Sequence, residues 1–190
     1  YNITTGKPYE IRAVETKIES PVLDTLYESA KAKSLLKKGE QFDIVNFKNE
    51  RNRLTTKFRN SGVYHFSQDY ISFKNDTIGT DHNVDIKINI PNRAIRTPDS
   101  TTREPFNVYQ IKEVNIFTDA SFQNRNAATP AKTAAYDNFN FYNYGELKYR
   151  PKAITNAVLI NKGDLYSDLD RTRTYSYLSQ LNSFKYPNIE

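Results

Sequence analysis

His65 and His82 are the only imidazoles of the chain, which holds no cysteine. Imidazole is the side chain best suited to moving a proton near neutral pH or to holding zinc. Neither histidine has a partner at His-x-x-x-His or Glu-x-x-His spacing, so both are expected as surface or strand residues. Asp76, Asp81 and Asp85 lack the dense acidic spacing of a calcium loop and are expected in turns. Missing cysteine excludes disulfides, zinc–thiolate sites and a thiol nucleophile. Serine and threonine are plentiful, but no Gly-x-Ser-x-Gly elbow occurs. Gly39 and Gly163 each stand between a lysine and an acid. Neither stretch has the repeated glycines that wrap a phosphate in backbone amides, so both are expected as left-handed helix exits. No catalytic, metal or cofactor-binding residue is assigned; the expectation is a non-enzyme without a cofactor.

Tyr136, Phe139, Phe141, Tyr142, Tyr144 and Tyr149 form a dense aromatic run with Lys148, Arg150 and Lys152 beside it. Aromatic faces among cations can stack the bases of single-stranded nucleic acid. With a net charge of +5, a basic nucleic-acid or polyanion-binding module is the alternative function. Cross-strand packing of a hairpin uses the same residues and is the reading adopted, so nucleic acid is not expected as a partner. Arg171 and Arg173 are assigned to a solvated helix face. No run approaches the roughly 20 apolar residues of a membrane helix.

The elements that would position these residues follow from periodicity. Tyr9 and Ile11 share one face and Val14, Thr16 and Ile18 another, which predicts a bulged strand. Ser20-Pro21 starts a helix carrying Leu23, Leu26, Tyr27 and Ala30, with Ser20 as its cap and an end near 36–38. Asp43 or Asn46 caps a second helix with Phe47, Leu54 and Phe58 on one stripe, interrupted by Arg51. A strand is expected over 64–73. Val84, Ile86, Ile88 and Ile90 alternate with polar residues as in a half-buried strand. The proline-containing stretch 92–106 is expected as an extended linker. Further on, 109–118 reads as a strand and 120–135 as a loop, and 139–149 as a hairpin turning near Gly145. Pro151 opens a helix, and Ser167 or Asp168 caps another carrying Leu169, Tyr175, Leu178 and Leu181. A final strand is expected to begin at Phe184.

Two motifs recur in the same order. Tyr9-Glu10-Ile11-Arg12-Ala13-Val14-Glu15 matches Tyr109-Gln110-Ile111-Lys112-Glu113-Val114-Asn115, and Lys38-Gly39-Glu40-Gln41-Phe42 matches Lys162-Gly163-Asp164-Leu165-Tyr166. The second copy carries 24 more residues between its motifs. This is an internal repeat, and the order strand–helix–helix–strand–strand resembles the polypeptide-transport-associated (POTRA) domain. The likeness is to the periplasmic arm of BamA/TamA-like outer-membrane assembly proteins, notably of Bacteroidota. Gly6-Lys7-Pro8-Tyr9-Glu10-Ile11 looks like the joint between such domains. Phe58-Arg59-Asn60-Ser61-Gly62-Val63-Tyr64 looks like the exit of the second helix. Tyr149-Arg150-Pro151-Lys152-Ala153-Ile154 and Leu178-Ser179-Gln180-Leu181-Asn182-Ser183-Phe184-Lys185 look like the same elements of the last domain before the barrel. Asn182-Ser183 replaces a glycine–aromatic pair, and Arg51 breaks a usually apolar stripe.

The expected class is therefore α+β: tandem units, each with two helices on one face of a small mixed sheet. Residues 1–7 would end a preceding unit, 8–91 form a complete one, 92–106 a linker, and 107–190 a unit with an extra hairpin and no last strand. The chain is expected to be a piece of something longer. The resemblance implies a periplasmic arm that receives or guides unfolded outer-membrane clients. Its implied partners are those clients, accessory periplasmic lipoproteins and a C-terminal membrane barrel of the same chain. It also implies that the second strand lies at the sheet edge, where an extended client can add by main-chain hydrogen bonds. The candidate client-binding residues are Gln68, Asp69, Tyr70, Ile71, Ser72, Phe73 and Lys74. Asp69 and Lys74 are expected to discourage self-pairing.

Overall fold

A computed structural model describes residues 6–120, 124, 130–184 and 186–190. The chain divides into compact units Tyr1–Val108 and Tyr109–Glu190, and the class is α+β. The first unit has β1 (Glu10–Ile18), α1 (Pro21–Ala30), α2 (Ile44–Arg59), β2 (Ser72–Asp76) and β3 (Asn83–Ile90). Its sheet runs β1-β3-β2, with β1 parallel and β2 antiparallel to β3. The alternation read along β3 is realised: Val84, Ile86, Ile88 and Ile90 are buried with Leu23 and Tyr27 of α1 and Phe47, Leu54 and Phe58 of α2. The phase slip in β1 is a bulge between Ile11 and Ala13. It sends Arg12 to the outer face, where it pairs with Asp85.

Several local expectations are corrected. α1 stops at Ala30 and a short 3-10 turn, Lys31–Lys33, follows. The cause lies in α2: the Glu50 carboxylate accepts from the Leu35 N–H at 3.0 Å and from Ser34 Oγ at 2.9 Å, giving these residues non-helical partners. Ser20 precedes α1 but makes no side-chain cap. Its Oγ instead accepts from the Phe106 N–H at 2.9 Å. Phe106 is buried against Phe66 and Tyr70. The expected linker is no extended spacer either, since it holds an antiparallel hairpin, β4 (Arg93–Arg96) and β5 (Thr101–Glu104). The strand expected over 64–73 forms only from Ser72. Before it, Arg59 donates to the carbonyls of Tyr64 and Phe66, both at 2.8 Å, which leaves those groups satisfied off the ladder. Gln68–Tyr70 is a 3-10 turn.

The second unit contains β6 (Val114–Phe117), β7 (Ala131–Tyr136), β8 (Phe139–Asn143), α3 (Pro151–Thr155) and α4 (Asp168–Gln180). Its sheet, β6-β8-β7, has the order and strand senses of the first. Here the hairpin precedes the helices: the expected addition supplies two of the three strands. It turns at Asp137, whose φ is +50°, rather than at Gly145. The amides of Tyr144 and Gly145 are held by the Asp119 carboxylate, at 3.0 Å and 3.2 Å, and not by a strand partner. Part of the stretch expected as a loop, 131–135, is β-strand; 121–123 and 125–129 lie outside the described residues. The strand expected from Phe184 is absent among the described residues, Lys185 being outside them. Of the apolar residues assigned to α4, Leu178 packs into the core with Phe139, Phe141 and Ile154, while Leu169, Tyr175 and Leu181 are exposed.

Candidate strand-addition site

The repeated motifs bond to each other within each unit. In the first, Gly39 N–H donates to Ile11 O at 2.8 Å, Ile11 N–H to Glu40 O at 2.9 Å, and Phe42 N–H to Tyr9 O at 2.8 Å. In the second, Gly163 N–H donates to Ile111 O at 2.8 Å, Ile111 N–H to Asp164 O at 2.8 Å, and Tyr166 N–H to Tyr109 O at 2.9 Å. Gly39 and Gly163 have φ of +84° and +90°, the left-handed conformation expected of them. Their role differs from a helix cap, because each turns the chain so that the residues after it lie against the start of the unit's first strand. These clamps fix the approach to α2 and α4. Asp43 then caps α2 through Val45 N–H at 2.8 Å, and Ser167 caps α4 through Asp170 N–H at 3.2 Å.

With α2 placed, Phe47 meets Phe73 of β2 edge-on, ring centroids 5.0 Å apart. This contact, with buried Ile71 beside it, seats β2 at the outside of the sheet. The directions of its backbone groups follow from β3. Ile90 O accepts from Glu19 N–H, at the end of β1, at 3.0 Å, so Ile90 faces β1. Backbone groups of successive strand residues point to opposite sides, so Asn89, Lys87 and Asp85 face β2. Their partners Ser72, Lys74 and Asp76 are therefore the bonded residues of β2. Phe73 and Asn75 point their N–H and C=O groups outward. Among the described residues no strand pairs with that side.

Of the candidate residues, Ser72, Phe73 and Lys74 thus lie on the edge, and Asn75 and Asp76 extend it. Ile71 is buried, and Gln68, Asp69 and Tyr70 form the turn before the strand. Asp69 is accordingly no guard of the edge; exposed Lys74 and Asp76 occupy its outer face. Outward bonding at Phe73 and Asn75 was not legible from the sequence, because it depends on the register against β3.

Two charged residues of α2 were undervalued by the sequence reading. Glu50 is fully buried. Arg53 donates to it through Nε at 2.8 Å and Nη2 at 2.6 Å, and through Nη1 to Ala30 O at 3.0 Å. Burial pushes the Glu50 carboxyl up, but the bonds from Arg53, Leu35 N–H and Ser34 together hold it below the usual carboxylate range. A Ser-x-x-Lys spacing, Ser34 to Lys37, also escaped the sequence reading. Ser34 Oγ is committed to Glu50 and Leu36, which fits a structural hydroxyl better than a nucleophile. Arg51 has its guanidinium carbon 5.4 Å from the centre of the Phe73 ring. Its Nε is buried without a hydrogen-bond partner among the described residues.

The other candidates take structural positions. His82 has φ +60° in the turn before β3 and packs against Tyr9, while Asp85 lies within β3 and pairs with Arg12. His65 is half-buried, and burial first, then Arg93 and Arg59, pulls its pKa down. Among the described residues no group of three or more His, Asp or Glu is placed to hold a metal ion. Phe139 and Phe141 are buried, and Tyr142 stacks on Phe117 at 5.1 Å, so these members of the aromatic run pack within their sheet. A surface groove of about 250 Å³ lies between α3 and α4, lined by Ala153, Ala157, Tyr177 and Leu181 among others.

These elements define an α+β module with helices on one face of a small mixed sheet and, among the described residues, an edge strand open on one side. No family model matches the chain, and no curated protein does. Among solved structures it is similar to POTRA domains 3–5 of BamA from Haemophilus influenzae, at 10% identity and a TM-score of 0.47, over 94% of this chain and 52% of that one. It spans about half the length of that structure. It is also similar to the N-terminal domain of Omp85 from Thermosynechococcus elongatus, at 9% identity and a TM-score of 0.30, over 94% of this chain and 88% of that one. POTRA domains 1–3 of Omp85 from Anabaena follow at 7% identity and a TM-score of 0.32, over 94% and 87%. Likenesses this distant assign no role. Among the described residues no helix is long and apolar enough to cross a membrane.

Proposed function

We propose that the chain is a protein-interaction arm of an outer-membrane assembly or translocation machine, working in the periplasm and taking extended client segments onto β2. The observation that carries this is the edge: Phe73 and Asn75 present outward backbone groups, unpaired by any strand among the described residues, on a strand seated by Phe47. Such an edge binds through the main chain and so accepts many client sequences. The repeated units with equivalent backbone clamps, and the ordered motifs of the sequence, fit a tandem arm of this kind. Accessory lipoproteins and a membrane barrel continuing the same chain are its further proposed partners. Affinity should be low, since ordering an unfolded segment offsets much of the gain.

The test is a titration of the isotope-labelled chain with a lysine-flanked peptide of alternating threonine and valine. Amide shifts concentrated at Phe73 and Asn75 support strand addition. Shifts confined to α1 and α2, or none at saturating peptide, refute it.

A further inference from the structure

We infer that the face of β2 covered by α2 reads a carboxylate side chain on the incoming strand, with Arg51 as the recognising group. The inference rests on the strand-addition reading and deepens it. On a sheet, residues directly opposite each other put their side chains on the same face, with Cα atoms about 5.5 Å apart in a bonded pair. A strand added to β2 would pair with the outward groups of Phe73. Its residue opposite Phe73 then points to the face that α2 covers. Arg51 already lies there, over the Phe73 ring.

The state of Arg51 gives that residue its chemistry. A guanidinium has five donors and no acceptor, and matches a carboxylate in a two-bond fork. Here Nε is buried with no partner, and among the described residues no carboxylate pairs with Arg51. Glu50, its neighbour in α2, is committed to Arg53, and Asp76 and Asp85 lie on the outer face of the sheet, away from Arg51. A buried donor left unmet in the resting protein is costly, and one lying beside an open strand edge is met when a carboxylate arrives. The same arginine interrupts the apolar stripe of α2, where a hydrophobic residue would have packed on Phe73 at no such cost. The occupant is therefore an extended polypeptide with Asp or Glu at the inward position opposite Phe73.

The Thr/Val peptide is made with Glu, Gln or Leu replacing one central valine, and each form is titrated against the wild-type chain, Arg51→Met and Arg51→Lys. Wild type should prefer the Glu form to the Gln form by about tenfold, the scale of a charge-assisted hydrogen bond, with the preference shrinking as salt is added. Arg51→Met should lose the preference yet keep binding the Leu form, and Arg51→Lys should keep part of it. Equal binding of the Glu and Gln forms to wild type, with shifts still at Phe73 and Asn75, overturns the role of Arg51 and leaves strand addition standing. A preference unchanged in Arg51→Met overturns it as well. If no form shifts β2, strand addition itself is wrong and this inference falls with it.

Discussion

Glu50→Ala tests how the first unit is held together. The wild-type carboxylate is fully buried and takes bonds from Ser34, Leu35 and Arg53, so it joins the turn after α1 to α2. Removing it strands the Leu35 N–H and leaves the Arg53 charge with only the carbonyl of Ala30. Breaking one side of a buried pair costs about 3–5 kcal/mol. Arg53 keeps 21% of its side chain exposed, which places the expected loss at the lower end, about 3 kcal/mol. For a unit of this size that corresponds to a drop in Tm of roughly 12–20 °C. Urea unfolding read by amide-resolved NMR separates the first unit from the second, which should not change. Replacing both partners, Glu50→Met with Arg53→Met, should recover most of the loss, because a well-packed apolar pair can match a buried ion pair. A Glu50→Ala cost under about 0.5 kcal/mol, or a double variant no more stable than Glu50→Ala, would show that this carboxylate does not tie the turn after α1 to α2. The sign with pH is also fixed. The folded carboxyl titrates below its unfolded value, so its stabilisation is complete above about pH 4.3 and is lost as pH falls through the folded value. The stability gap between wild type and Glu50→Gln should close over that range.

The clamps predict local damage: with φ of +84° and +90° and open space around each added Cβ, Gly39→Ala and Gly163→Ala should each cost roughly 1–2 kcal/mol, each in its own unit by hydrogen exchange. A loss in the other unit, or none, contradicts the clamp. Ile86→Ala and Ile88→Ala should each cost about 2–5 kcal/mol by urea unfolding, since both are buried under α1 and α2; an unchanged transition would mean the faces of β3 are misassigned. Arg51→Met should stabilise the unliganded chain by roughly 1 kcal/mol, since a buried donor is no longer left unmet, and this is read as a rise in Tm. A fall in Tm would show that the guanidinium stabilises the resting fold.

The sequence revealed what one residue's surroundings determine. The alternation from Val84 to Ile90 announced a half-buried strand because each side chain there meets either the helices or solvent. The glycines Gly39 and Gly163 announced left-handed turns, and the twin motifs announced a repeat. The sequence did not show that the twins bond to each other, because a backbone hydrogen bond leaves no mark on residue type. Tyr64 to Tyr70 looked like strand because aromatic residues favour both strands and cores; Arg59, a residue of the preceding helix, took the carbonyls a neighbouring strand would have used. The hairpin over 93–104 was hidden by its charged and threonine-rich strands, which carry little apolar alternation. Edge position was available only through a family resemblance, and the outward direction of Phe73 and Asn75 only through the register of β2 on β3. Arg51 stood out in the sequence as an interruption; its place over Phe73 gives that interruption a role.

Whether clients bind the outward backbone of β2 is decided by Asn75→Pro. Asn75 is exposed and its N–H points away from β3, so proline removes one outward donor and leaves the ladder of Ser72, Lys74 and Asp76 in place. Peptide affinity is measured by NMR titration on the variant, with its dispersed spectrum as the control for folding. The Asn75→Pro chain should stay folded and lose binding at β2. A folded Asn75→Pro chain that binds the peptide as tightly as wild type would rule out the outward backbone of β2 as the binding surface.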